Sequence, residues 1–125
     1  DLLDMDSIDG VSCFQEDILN IDQIDEIYSL RNNFDLVISD LAPNLTGIRA
    51  VDEENISELN IITLSTALGY LSKSNGSFII KTFQNSLLKK LRTEMEKSFH
   101  LVQTYKPAAS KSKSAEIYLY GERPL

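Results

Sequence analysis

The sequence predicts a doubly wound α/β domain, a mostly parallel sheet that ends in an antiparallel strand pair. Three observations carry this. Short apolar runs alternate with stretches whose apolar residues recur at helical spacing. The run Leu36-Val37-Ile38 has no polar alternation, as in a parallel strand covered by helices on both faces. His100 to Lys106 and Ile117 to Tyr120 then read as a closing antiparallel pair joined by the polar loop Pro107 to Ser114. At 125 residues, 42% hydrophobic and 25% charged, the chain has the size and apolar content of one cored domain. With no internal repeat and no linker, residues 1–125 read as a single unit.

Taken in order, Asp1-Leu2-Leu3 reads as the end of a strand, followed by an acidic turn through Gly10. Val11 to Gln15 reads as a second short strand with Glu16 and Asp17 at its carboxyl end. Asp22 is placed to cap a helix whose apolar stripe is Ile24, Ile27, Tyr28 and Leu30, and Asn32-Asn33 end it. After the Leu36 strand, Asp40 falls at the carboxyl end, where Pro43, Asn44 and Gly47 force a loop. Asp52 to Glu54 set negative charge at the start of a long helix, opposite the positive end of its dipole. Ile56, Leu59, Ile62, Thr63, Ala67, Tyr70 and Leu71 keep the helical spacing until Asn75-Gly76. Ser77 to Gln84 is a strand interrupted by Lys81. A second amphipathic helix turns Leu87, Leu88, Leu91 and Met95 inward and Lys89, Lys90 and Arg92 outward.

Composition excludes several classes. No window has the roughly 18–20 uninterrupted apolar residues of a membrane span, and Asp-Leu-Leu-Asp-Met-Asp has no basic signal-peptide region. Cys13 is the single cysteine, so no internal disulfide or C-x-x-C metal site can form; it reads as a small buried hydrophobe, and a reducing cytoplasm fits. The net charge of −7 hides an asymmetry. Residues 1–60 hold fifteen acids and two bases, whereas residues 61–125 hold four acids and ten bases. Either the halves face different partners or both are ordinary solvated faces.

The chemistry concentrates at strand ends, which in open α/β sheets is where ligands bind. Asp40 either serves a ligand there or ties down its own loop. Lys81 lies inside an apolar strand, where an ammonium needs a paired acid, and Asp40 and Glu116 are the candidates on the same sheet edge. A structural ion pair explains that arrangement as well as a catalytic one does.

Three stretches together resemble the FtsJ-like ribosomal RNA 2′-O-methyltransferases. They are Ser39-Asp40-Leu41-Ala42-Pro43-Asn44 with Thr46-Gly47, Gly76 through Gln84, and Lys106-Pro107-Ala108-Ala109-Ser110-Lys111 running to Ser114-Ala115-Glu116-Ile117-Tyr118. They stand in the family's order and spacing across nearly the whole chain. The resemblance implies a Rossmann-like methyltransferase fold and S-adenosylmethionine as methyl donor. It implies a Lys-Asp-Lys-Glu catalytic tetrad whose last three members are Asp40, Lys81 and Glu116. It puts Asp1 and Asp17 beside the donor's ribose and adenine, with Asp40 on the donor side too. The substrate it implies is a ribose 2′-hydroxyl, of a uridine, in large-subunit ribosomal RNA, with no metal and no membrane involved. The basic excess of the second half then sets Lys106, Lys111, Lys113 and Ser114 against the RNA. Lys111 stands where the family usually has an arginine, which keeps the charge and loses the bidentate fork. The family's first strand, glycine-rich donor loop and first tetrad lysine precede anything present, so the chain is expected to be the C-terminal portion of a longer protein.

A rival from another class is a non-catalytic α/β nucleotide- or partner-binding module in which Lys81, Asp40 and Glu116 are only an ion-pair network. A dehydrogenase on the same type of sheet gives no reason for the motifs around Lys81 and Glu116.

Overall fold

A computed structural model describes residues 1–107 and 115–125. Its centre is a four-stranded mixed sheet in the order β1-β2-β4-β3. Strand β1 (Leu36–Ser39) runs parallel to β2 (Ser77–Phe83), which pairs antiparallel with β4 (Glu116–Pro124), and β4 pairs antiparallel with β3 (Phe99–Tyr105). The α/β class and the antiparallel end thus stand as expected.

Helices α2 (Arg49–Tyr70) and α3 (Leu88–Ser98) cover one face of this sheet. Leu64, Ala67 and Leu71 meet Leu91 and Met95 over Phe78, Ile80, Phe99 and Leu119 to form the core. Among the described residues the opposite face is exposed at β1. Leu36 and Ile38 are 46% and 65% exposed, which corrects the expectation of a strand covered on both sides. The reason is positional: β1 is the edge of the described sheet, and α2 and α3 both lie against the other face.

Helix α2 starts before the acids expected to open it and ends at Tyr70, well short of Asn75-Gly76. Leu71 turns extended and forms a parallel bridge with Phe34, which takes the backbone out of the helix. Thr63, Ala67, Tyr70 and Leu71 of the predicted stripe are buried as expected, but in the first turns of the helix the stripe runs one position further on. Ser57, Asn60, Thr63, Leu64, Ala67 and Tyr70 are buried, while Ile56, Leu59 and Ile62 are only half-buried. Polar residues can occupy the stripe because they are satisfied: Asn60 Nδ2 donates to Thr82 Oγ1 at 2.8 Å, inside the core. In α3, Leu91 and Met95 point inward as expected. Arg92 does not simply face solvent, since its guanidinium reaches Thr104 and the carbonyl of Val102 on β3.

The N-terminal stretch departs most from expectation. Neither Asp1-Leu2-Leu3 nor Val11 to Gln15 is a strand. They touch as strands would, with Asp1 N donating to Phe14 O at 3.1 Å and Glu16 N to Asp1 O at 2.8 Å, and that pair of bonds is too short a ladder. Cys13 is exposed rather than buried. Asp22 caps nothing. Instead Asp17 caps a 3₁₀ helix over Ile18–Gln23 by accepting from Leu19 N, and the short α1 (Asp25–Tyr28) follows an extended Ile24. Asp22 Oδ1 accepts a 2.5 Å hydrogen bond from the Tyr70 hydroxyl.

One packing contact gives a stability prediction. A Cβ added at Gly121 would fall 2.6 Å from Cδ2 of Phe99, whose ring stacks on Phe78 with centroids 6.3 Å apart. Gly121→Ala should therefore cost about 1–3 kcal/mol through overpacking. Urea unfolding should show this as a lower midpoint, and an unchanged midpoint would show that Phe99 can move aside freely.

Candidate active site

Strand register brings the three motif residues to one place. Ser39 lies opposite Ile80 in the parallel β1·β2 pair, so the next residue along, Asp40, comes level with Lys81. Lys81 pairs with Tyr118 on antiparallel β4, and Glu116, two residues away and therefore on the same face, lies at that edge too. The side chains converge accordingly: Lys81 Nζ is 2.5 Å from Asp40 Oδ1 and 3.8 Å from Glu116 Oε1.

Lys81 escapes the core through alternation. Phe78, Ile80 and Thr82 are buried against the helices, whereas Ile79, Lys81 and Phe83 point to the other face. Its side chain keeps 22% exposure, enough to meet a partner from solvent. The Asn60–Thr82 bond pins the backbone beside it. The hydrogen bond to Asp40 holds the Lys81 ammonium above its ordinary range; partial burial opposes this, and the charges of Asp40, Glu116 and the Tyr118 oxygen add to it.

The loop after Asp40 is braced by a residue that sequence reasoning assigned only to the helix dipole. Asp52 accepts from Thr46 N at 2.7 Å, Thr46 Oγ1 at 2.8 Å and Gly47 N at 3.1 Å, while Gly47 takes a left-handed φ of 86°. These bonds, led by those from Thr46, lower the Asp52 carboxyl below its ordinary range. An acid on the first turn six residues after a threonine was the available signal.

Beside this cluster lies a cavity of about 590 Å³, the size class of small-ligand sites. Asp1, Glu16 and Asp17 line it together with apolar Phe14, Ile18, Ile21 and Leu41, and Leu41 directly follows Asp40. Asp1 Oδ1 accepts from Leu3 N at 3.1 Å and Asp17 Oδ1 from Leu19 N at 2.9 Å. Among the described residues Oδ2 of each carries no hydrogen bond. Free carboxylate oxygens beside apolar walls suit a nucleoside, whose ribose hydroxyls donate and whose base stacks, so these residues fit an adenosyl donor.

Lys106, half-buried, gives its ammonium to the carbonyl of Glu116 at 2.9 Å, which ties it to the edge of the same cluster. Lys111, Lys113 and Ser114 lie outside the described residues. Among the described residues, no helix is long and apolar enough to cross a membrane and no group of acids, His and Cys is arranged to hold a metal ion.

A sequence profile described as FtsJ-like methyltransferase matches residues 1–123. The chain is 40% identical over 124 residues to the ribosomal RNA large subunit methyltransferase E of Neisseria meningitidis serogroup C, covering 98% of this chain and 60% of that protein. It is 41% identical over 121 residues to the enzyme of the same name from Hahella chejuensis, covering 95% and 58%. The chain thus spans about 60% of the length of these curated relatives. The crystal structure of a Plasmodium falciparum protein designated a ribosomal RNA methyltransferase superposes with a TM-score of 0.82 at 28% identity, covering 99% of this chain and 69% of that one.

Proposed function

We propose, from the premise that this chain belongs to the FtsJ-like methyltransferase family, that its protein methylates a ribose 2′-hydroxyl, of a uridine, in large-subunit ribosomal RNA. The donor is S-adenosylmethionine and the setting is the cytoplasm. The observation that carries the reading is Lys81 Nζ held between Asp40 and Glu116 next to the cavity lined by Asp1 and Asp17. A purely structural ion pair would not need such a cavity beside it.

When bound, S-adenosylmethionine supplies a methyl group already activated by its sulfonium. The protein's task is alignment and removal of one proton from a hydroxyl whose pKa lies far above neutrality. In this reading Lys81 Nζ accepts that proton, and Asp40 orients the amine through its short hydrogen bond. Asp1 and Asp17 accept from the donor's ribose and adenine. Lys106, Lys111, Lys113 and Ser114 contact the RNA.

The raised pKa of Lys81 has a kinetic consequence. An amine must be neutral to take a proton, so the rate should climb with pH from 7 to 9 as the neutral fraction grows. Removing a carboxylate charge lowers a lysine's pKa. Glu116→Gln should therefore move the rising limb to lower pH. Because 3.8 Å is beyond hydrogen-bond range, it should cost less than about tenfold in rate at pH 7.5. A limb unmoved or shifted to higher pH would count against Lys81 as the base.

The reading is tested by incubating the protein from its complete reading frame with methyl-labelled donor and separated ribosomal subunits. Label should enter the RNA of undermethylated large subunits and not that of small subunits. Absence of transfer to either would remove the proposal.

A further inference from the structure

We infer that Tyr70 is a positioning residue for the donor pocket, acting through its hydrogen bond to Asp22; this rests on the donor assignment above. Tyr70 closes α2 and is only 5% exposed, yet its hydroxyl reaches 48 residues back along the chain to Asp22 Oδ1 at 2.5 Å. Asp22 belongs to the 3₁₀ helix that Asp17 caps, and Ile18, Ile21, Ile24 and Ile27 from this helix and its continuation line the same cavity as Asp17. The latch therefore grips the wall of the pocket from behind.

That wall needs an external hold. The 3₁₀ helix has six residues and α1 four, and neither contains a buried residue. Pieces of this length do not persist by themselves in water. Their far end is fastened by backbone, with Asn32 N donating to Gly69 O at 3.2 Å and Phe34 N to Tyr70 O at 3.0 Å. Nearer to Asp17, the last turn of the 3₁₀ helix that it caps is tied to α2 by the Tyr70–Asp22 bond. Burial first, and the bond to Asp22 second, push the Tyr70 phenol up to about 12, so it remains a proton donor across the working range.

The expected signature follows from population. Only conformers with the wall in place bind donor well, so the apparent dissociation constant rises as their fraction falls. Asp40, Lys81 and Glu116 sit on other elements and keep their geometry. Loss of the latch should weaken donor binding and leave the chemical step intact.

The experiment is a calorimetric titration of S-adenosylmethionine, with steady-state methyl transfer, into the protein from its complete reading frame. Tyr70→Phe removes one oxygen and should weaken donor binding about tenfold, with kcat at saturating donor within about twofold of wild type. Asp22→Ala, on the exposed side of the bond, should give the same loss and serves if Tyr70→Phe proves too unstable. Asp22→Asn keeps an acceptor and should recover most of the affinity. The double variant Tyr70→Phe/Asp22→Ala should be no weaker than either single one. Wild-type affinity in both single variants, additive losses, or a fall in kcat at unchanged donor KM would overturn the inference alone. A wild-type protein that binds no S-adenosylmethionine would overturn the donor assignment as well.

Discussion

Replacing Lys81 by alanine is expected to lower methyl transfer by about 10²–10⁴-fold, the range for loss of a general acid–base group, while donor affinity stays within about threefold. The separation arises from position. Lys81 lies on β2 and contacts Asp40 and Glu116, whereas the cavity assigned to the donor is lined by Asp1, Asp17 and the helix that follows. An effect confined to kcat is what a group acting on the acceptor hydroxyl produces. Lys81→Arg should not rescue. Arginine keeps the charge and the pairing with Asp40, but a guanidinium does not give up its proton in this pH range. If Lys81→Arg were near wild type, the residue would serve by its charge and not as a base. Single-turnover transfer with saturating donor makes the distinction, since it excludes product release.

Asp40→Ala should produce the second large loss, about 10²–10³-fold, and with a different pattern. Its carboxylate makes the 2.5 Å bond that orients Lys81 Nζ, and the next residue, Leu41, lines the donor cavity. Both the rate at saturating donor and donor affinity should suffer. With its main hydrogen-bond acceptor gone, the Lys81 pKa should fall, so what activity remains should have its rising limb at lower pH. A pH–rate profile of Asp40→Ala beside wild type checks this, and an unmoved limb would separate Asp40 from the titrating group. The loss should exceed that of Glu116→Gln because the two acids differ in reach, one within hydrogen-bond distance and one beyond it.

Much of this site is legible in the chain because strand ends are. An acid after Leu36-Val37-Ile38, a lysine inside Ser77–Phe83 and an acid opening the last strand must meet once those strands are neighbours, and the register makes them level. The roles given to them remain the proposal. What periodicity cannot express is which neighbour a residue will find. Asn60 looks like a poor core residue until Thr82 supplies its partner, whereas Thr63, already on the expected stripe, is satisfied by the Leu59 carbonyl. Leu36 and Ile38 look doubly buried, yet a run of apolar residues does not reveal that its strand lies at an edge. Val11 to Gln15 has strand-forming residues but finds too short a ladder, and Cys13 is exposed with it. Asp22 and Asp52 both read as helix-start acids. Asp52 does stand in the first turn of α2 but also accepts from the preceding loop, while Asp22 instead accepts from a distant tyrosine; tertiary contact makes both choices, and local spacing does not show them.

If the Lys81 cluster directs a methyl group onto a ribose oxygen, the product nucleoside carries the methyl on its sugar. Undermethylated large subunits are incubated with S-adenosylmethionine and the wild-type or Lys81→Ala protein, and their RNA is digested to nucleosides for mass spectrometry. The expected product with the wild type is 2′-O-methyluridine, its methyl on the sugar fragment, and close to none is expected with Lys81→Ala. A methyl group on the base fragment, or equal yields from the two proteins, would contradict that role of the cluster.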